Sequence, residues 1–204
     1  MRIFRPCFIT GWLYPDAIFR IRTDEKIACL TFDDGPDPDS TPLILEILRK
    51  HNLKAAFFCC GSAAEKYPEL VRHIVSEGHL TGNHTYSHLS GWKTPVNSYV
   101  EDVERAAALT SAEWFRPPYG RLRLRQYCSL KKQYKIVFWD IMPYDFDKSF
   151  SEEASLKTMM KKLRPGSVIV LHDSRNSVSA SYLNKFIESA LLSGYRFVLP
   201  EKQI

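Results

Sequence analysis

Thr31-Phe32-Asp33-Asp34-Gly35-Pro36-Asp37-Pro38 is the stretch on which the reading of this chain turns. Ahead of it, Lys26 to Phe32 has the composition of a short buried strand: Ile27, Cys29 and Leu30 are apolar and Phe32 closes the run. The run ends at two adjacent carboxylates followed by Gly-Pro and Asp-Pro, both turn signals. Neighbouring side chains on an extended segment point in different directions. Asp33 and Asp34 are therefore expected to divide the work, one holding a cation and the other handling a proton. Taken alone, the stretch also fits a solvated turn, where Asp is common because it hydrogen-bonds locally.

Working outward, apolar runs alternate with amphipathic ones. Strands are expected at Lys54 to Cys60, around His79 to Thr81, from Tyr134 to Trp139, from Ser167 to Leu171 and from Tyr195 to Leu199. Helices are expected between them. Thr41-Pro42 reads as an N-cap and first helical position, and Ser62 with Glu65 resembles a capping box. Pro68 starts another helix, Ser98 to Leu109 follows with Glu101 closing a second box, and a basic helix covers Leu122 to Lys132. Ser151 opens the next, and Tyr182 to Leu192 is the last. Residues 1–25 read as an N-terminal extension packed on the domain, and residues 26–204 as one domain without linker or repeat. The alternation implies a parallel sheet, doubly wound or closed into a barrel. Five polar clusters then follow strand ends: Asp33-Asp34, His84/His88, Arg116-Pro117-Pro118-Tyr119-Gly120, Asp140/Asp145 and His172-Asp173. In parallel α/β folds those ends share one face, where active sites are built.

The 204 residues are enough for one substantial core, and 45% hydrophobic with 25% charged is ordinary globular composition. The net charge of +5 is spread out. Arg121, Arg123 and Arg125 form one cluster and Lys161, Lys162 and Arg164 another; both read as solvated helix faces, with no nucleic-acid partner expected. No segment approaches the ~20 apolar residues of a transmembrane helix. Arg5 and Pro6 interrupt the apolar N-terminus, and no signal cleavage site follows. The five cysteines are odd in number and lack CxxC spacing, so Cys29, Cys59 and Cys60 read as packing residues. The expectation is a reduced, cytoplasmic protein, with peripheral membrane contact through the N-terminus left open. Oligomeric state is not legible.

His84 and His88, four residues apart, can present both imidazoles to one side of a helix or tight turn, as two ligands of a divalent metal. No Glu lies between them, so a carboxylate must come from elsewhere, and Asp33 and Asp34 are the candidates. Two His and one carboxylate leave an open position, the pattern of catalytic zinc, though iron or another transition metal also fits.

Thr31-Phe32-Asp33-Asp34-Gly35-Pro36, His84-Thr85-Tyr86-Ser87-His88, Arg116-Pro117-Pro118-Tyr119-Gly120, Trp139-Asp140 through Asp145-Phe146, and Leu171-His172-Asp173 occur in the order of the polysaccharide deacetylase motifs. From about residue 26 onward the chain resembles that family, the NodB-homology or carbohydrate esterase family 4 enzymes. The resemblance implies a distorted (β/α) barrel of seven parallel strands and metal-dependent removal of N- or O-acetyl groups from sugars. It implies one divalent metal, Zn2+ first among the candidates, held by Asp34, His84 and His88. Asp33 would be the general base for the attacking water, paired with Arg116, which keeps it ionised and aims it. The backbone N–H of Tyr119 would stabilise the tetrahedral oxyanion. His172 would protonate the leaving amine, with Asp145 holding its imidazole in the charged form. Phe146, Val170, Leu171 and Pro117 would form the pocket around the acetyl methyl. Asp173 is expected to cap the turn or helix after it.

Three departures from the pattern bear on substrate. Met142 stands where many members have Asp or Asn, and Phe146 where Trp is common. No signal or anchor is evident, which favours a small amino sugar, an oligosaccharide or a lipid-linked precursor over a wall polymer. The reading is thus a carbohydrate de-N-acetylase acting on an N-acetylated sugar. Two alternatives stand beside it: a metal-dependent amidase of another C–N bond, such as a cyclic imide or ureide, and a catalytically silent sugar-binding module.

Overall fold

Strand β1 (Ile27–Asp33) is buried along its whole length and forms the centre of a parallel sheet. The computed structural model describes residues 8–147 and 149–200; residues 1–7 of the expected extension, Cys7 among them, lie outside the described residues. The other strands are β2 (Ala56–Cys59), β3 (Leu80–Asn83), β4 (Trp114–Phe115), β5 (Lys135–Ile136), β6 (Ser167–His172) and β7 (Arg196–Phe197). Among the described residues the sheet has seven strands, in the order β5-β4-β3-β2-β1-β6 with β7 paired to the start of β1. Every pair is parallel.

Closure comes from β5 and the segment after it: β5 pairs with β4 at Lys135 and Ile136, and the chain beyond bridges Ile18 at Val137 and Ile169 of β6 at Ile141. One stretch therefore joins the two ends of the sheet and curls it into the expected distorted (β/α) barrel. This explains why the expected strand Tyr134 to Trp139 is shorter than its apolar pattern: beyond Ile136 the chain is leaving one edge for the other.

Helices α1 (Phe8–Leu13), α2 (Thr41–Lys50), α3 (Gly61–Lys66), α4 (Pro68–Ser76), α5 (Val96–Ala107), α6 (Leu124–Leu130), α7 (Glu152–Lys162) and α8 (Ser179–Leu192) complete the described fold. Alternation along β1 sorts its side chains. Ala28, Leu30 and Phe32 pack under helices, against Ile44, Leu45 and Leu48 of α2 and Leu183, Phe186 and Ile187 of α8. Ile27 and Cys29 face the barrel interior with Ala56, Phe58, Trp114, Val137 and Val168. That apolar plug fills the lower barrel, so Thr31 and Asp33 begin a polar layer above it. The N-terminal segment packs on the sheet's β5 side: Phe19 stacks on Phe138 at 4.6 Å, and Tyr14 Oη donates to the Leu122 carbonyl at 2.6 Å.

Several expected helix starts differ. Ser151 caps α7 as expected, accepting from Ala154 N–H. Ser62 and Glu65 form no capping box: α3 begins at Gly61, and the Gly61 and Ser62 N–H groups donate to the Thr85 and Tyr86 carbonyls instead. The orphan donors of the helix are spent on the loop that carries the two histidines. Ser98 and Glu101 lie inside α5, which starts after Pro95. Thr41 is the first residue of α2, following Ser40. Among the described residues no helix is long and apolar enough to cross a membrane. Cys29, Cys59 and Cys60 are free and buried, and Cys128 is free and exposed.

Candidate active site

Asp33 ends β1, and Asp34 follows in the left-handed region at φ 77°. Asp tolerates that conformation better than most residues. It bends the chain at the strand end, so that both carboxylates line the same cavity. Gly35 passes directly over Asp173; a Cβ there would lie 2.2 Å from Asp173 Oδ2. The Asp173 N–H donates to the Asp33 carbonyl at 2.8 Å. Its buried carboxylate accepts from Ser40 Oγ at 2.5 Å and Thr41 Oγ1 at 2.6 Å. Asp173 thus ties the end of β6 to the start of α2 rather than capping the next turn or helix. Burial raises its pKa to about 7 in spite of those two hydrogen bonds.

The His84–His88 segment is a loop, not a helix, with positive φ at Thr85 and His88. Neighbouring polar groups fix it. Asn83 Oδ1 accepts from Thr85 N–H, and Asp102 Oδ2 accepts from Tyr86 and Ser87 N–H, each at 2.9 Å. His84 Nδ1 lies 2.8 Å from the Arg116 carbonyl. A carbonyl only accepts, so Nδ1 carries the hydrogen, and Nε2 of the neutral ring turns its lone pair to the cavity. Burial lowers the His84 pKa to about 4, which keeps the ring neutral. His84 Nε2 is 3.6 Å from Asp34 Oδ1, and His88 Nε2 is 3.1 Å from the same oxygen. Burial pushes the Asp34 pKa up, but the His88 hydrogen bond and the His172, His84 and His88 charges outweigh it and hold it below the usual carboxylate range.

Arg116 is wholly buried and crosses the barrel from β4. Nη1 donates to Asp33 Oδ1 and Thr31 Oγ1, each at 2.7 Å. Nε and Nη2 donate to the Val137 and Phe138 carbonyls, at 3.1 and 2.9 Å. The guanidinium lies over the Phe58 ring at 4.1 Å. The residue that aims Asp33 therefore also fastens the closing segment to β1 and β4. Burial lowers the Arg116 pKa, but the Asp33 charge and hydrogen bond oppose this.

On the other side of Asp33, its direct partner in the β1–β6 ladder is His172. His172 Nδ1 lies 2.9 Å from Asp145 Oδ1, and the His172 backbone N–H donates to Asp145 Oδ2 at 2.7 Å. Ser177 Oγ also donates to Asp145 Oδ2, at 2.7 Å. Burial would lower the His172 pKa, yet the Asp145 charge and hydrogen bond, with Asp34 and Asp33, push it up to about 9.

These groups converge on a cavity of about 310 Å³. Asp33, Asp34, His84, His88, Tyr119 and His172 line its polar side, and Trp139, Met142, Phe146 and Val170 its apolar side. The Phe146 ring sits edge-on to His172 at 4.8 Å, and Tyr119 edge-on to His88 at 4.6 Å. Two expected pocket residues fall elsewhere. Leu171 points away from the barrel interior into the helix-covered core, because strand alternation gives the interior to Val170 and His172. Pro117 is buried in its turn and does not line the cavity. Asp140 belongs to another end of the barrel, held by Arg164 and by Ser167 Oγ at the start of β6. Trp139 and Met142 also line the cavity; neither was among the expected pocket residues, although Trp139 opens one of the motifs and Met142 is one of the departures that bear on substrate. Ser177 carried no signal at all, since its contact with Asp145 depends on the fold.

The donor set suits a divalent cation. Ligand atoms of Asp34, His84 and His88 all lie within 4.8 Å of one another. One ring is oriented from behind by a carbonyl, as metal-ligating histidines are, and one carboxylate with two imidazoles matches borderline metals such as zinc.

Comparison with known proteins identifies the family. The polysaccharide deacetylase family profile matches residues 20–139. A peptidoglycan-N-acetylglucosamine deacetylase of Bacillus cereus is 38% identical over 83% of this chain, which spans 65% of that relative's length. A chitooligosaccharide deacetylase of Azorhizobium caulinodans is 31% identical over 90% of this chain and 91% of its own. The crystal structure of the Bc1960 peptidoglycan N-acetylglucosamine deacetylase superposes with a TM-score of 0.88 at 32% identity, covering 98% of this chain and 97% of the other. The profile takes in β1 with its paired aspartates, the histidine loop and the Arg116 turn, and the likeness to a solved deacetylase runs from end to end: the chain belongs to the polysaccharide deacetylase family.

Proposed function

We propose that this chain, a carbohydrate deacetylase by family, hydrolyses the N-acetyl group of an N-acetylhexosamine unit, using Asp33 as base and His172 as acid. The observation that carries this reading is their placement. They are ladder partners at the rim of β1 and β6, each backed by an opposite charge, beside the Asp34–His84–His88 donor set.

Asp34, His84 and His88 would hold one divalent metal, with Zn2+ the first candidate. Bound there, it would polarise the acetyl carbonyl and make water a better nucleophile near neutrality. Asp33 takes the proton from the attacking water at Oδ2, the oxygen that Arg116 leaves free. The Tyr119 N–H serves the developing oxyanion, a role worth about 3 kcal/mol of barrier. With Nδ1 committed to Asp145, His172 delivers its proton from Nε2 to the departing amine. Val170, Phe146, Trp139 and Met142 accept the acetyl methyl and exclude water from that side. An N-acetylglucosamine oligosaccharide is the substrate class, consistent with what the named relatives act on. Three buried free thiols suit a reducing compartment, and cell fractionation tests the cytoplasmic location.

Acetate release from N-acetylglucosamine oligosaccharides by zinc-loaded protein tests the reading. Ring-opened products from cyclic imides, with no acetate, would move it to the amidase alternative. Saccharide binding without turnover under any metal would move it to a silent module.

A further inference from the structure

The cavity does not end at Tyr119. Its ring is more than half exposed, and the Arg121 guanidinium lies 5.6 Å from it. The same guanidinium lies 5.4 Å from the Trp92 ring, itself 59% exposed. A strip of aromatic, cation and aromatic thus leads outward from His88.

The strip is built rather than loose. Gly91 N–H donates to the Arg121 carbonyl at 3.0 Å, and a Cβ on Gly91 would lie 2.4 Å from that oxygen, so only glycine permits the approach. Gln126, fully buried on α6, donates to the Gly91 and Thr94 carbonyls and accepts from Arg123 N–H. Arg123 Nη2 donates to the Trp92 carbonyl at 2.6 Å. The loop bearing Trp92 is therefore locked to the segment bearing Arg121 before any ligand arrives, which lowers the ordering cost of binding. Arg121 precedes α6 and is not on the solvated helix face that its spacing with Arg123 and Arg125 implied. Among the described residues no carboxylate lies within ion-pair distance of it, and Lys93 and Arg123 add positive charge on the same two segments.

We infer that Tyr119, Arg121 and Trp92 form a saccharide subsite for a sugar unit next to the acetylated one, and that this unit carries an anionic group, a carboxylate or a phosphate. The aromatic faces take the apolar faces of sugar rings, and the planar guanidinium takes the anion in a paired hydrogen bond. The inference rests on the deacetylase reading and adds its specificity.

Initial rates on three oligosaccharides test it: a neutral N-acetylglucosamine chain, the same chain with a carboxylate on the unit beside the target, and the same chain with a phosphate monoester there. Wild type should show a lower KM for at least one charged chain, and the one preferred identifies the source of the anion. Arg121→Ala should raise KM for that chain by about 10-fold or more, the loss of one charge-assisted contact, with kcat little changed and the preference gone. Trp92→Ala should raise KM for all three chains. Lys157→Ala, which removes one positive charge from α7, should leave the preference intact. Equal KM values for neutral and charged chains in wild type, or an unchanged preference in Arg121→Ala, would overturn the inference. If no chain is hydrolysed, the deacetylase reading fails separately, and calorimetric binding of the same three chains to wild type and Arg121→Ala reads the subsite by itself.

Discussion

Asp33 and His172 sit side by side on one rung of the β1–β6 ladder, and each is held from behind by an opposite charge. Arg116 donates to Asp33 Oδ1, and Asp145 faces His172 Nδ1. Two adjacent strands thereby present the proposed base and acid a strand spacing apart, with the candidate metal donors Asp34, His84 and His88 at the same rim. The account of catalysis depends on those two buried supports.

Asp145→Asn removes the charge that most strongly raises the His172 pKa, which is pushed up to about 9. The acid must be protonated to act, so activity is lost as pH rises through its pKa. The alkaline limb of the wild-type rate profile should therefore move down by at least about one pH unit in Asp145→Asn, a range ordinary for loss of a paired charge. An unshifted limb would remove Asp145 from this role.

The same group makes a stability prediction for metal-free protein. A histidine whose folded pKa is raised stabilises the fold fully below its unfolded pKa of about 6.5, and that contribution is lost as pH rises through the folded value near 9. Between those values the wild-type melting temperature should fall relative to that of Asp145→Asn. Parallel melting curves for the two proteins would contradict the pairing.

Arg116→Lys keeps the charge but cannot serve Thr31, Asp33, Val137 and Phe138 together, and it leaves buried acceptors unpaired. A loss of about 3 kcal/mol or more in urea unfolding is expected, with kcat reduced in the protein that remains folded. A stability change below about 1 kcal/mol would show that the guanidinium does not fasten the barrel closure.

Leu171 and Val170 should separate cleanly. Leu171→Ala opens a hole in the helix-covered core and should cost about 2–5 kcal/mol while substrate preference stays unchanged. Val170→Phe fills the cavity and should depress activity on N-acetyl substrates while leaving urea stability changed by only about 1–3 kcal/mol. If Leu171→Ala alters acyl selectivity, the pocket reaches further than its lining shows.

Metal removal with a chelator should abolish activity, and excess zinc should restore it. Zinc at about 100 times its Kd should stabilise the fold by about 2.7 kcal/mol. His84→Ala should lose both the restoration and the stabilisation. A thermal shift from zinc that survives in His84→Ala would place the ion elsewhere.

Much of this was legible in order along the chain. The apolar run ending at Asp33-Asp34 became β1, and Val168, Val170 and His172 kept the alternation expected of β6. The candidate donor set was legible because His84, His88 and Asp34 are few and chemically distinctive. Of the helix or tight turn expected between the histidines, the structure has the non-helical form, a loop whose fixing by Asn83 and Asp102 was not legible. Leu171 was misplaced because motif neighbours were pooled without applying the strand period to each. Asp140 was misplaced because its strand pattern hid a chain crossing from one sheet edge to the other. The capping box at Ser62 failed because tertiary contacts took the helix's free N–H groups. Arg116 was expected beside Asp33, but its hold on the closing segment could be seen only once that segment had a place.

The most direct test loads wild type, Asp33→Asn and His172→Ala with zinc, measures bound metal, and follows acetate release from an N-acetylglucosamine oligosaccharide. The account predicts about one zinc per chain in all three, steady acetate release by wild type, and a loss of at least about 100-fold in each variant. Normal turnover by either variant with its metal in place, or no acetate from wild type under any divalent metal, would contradict it.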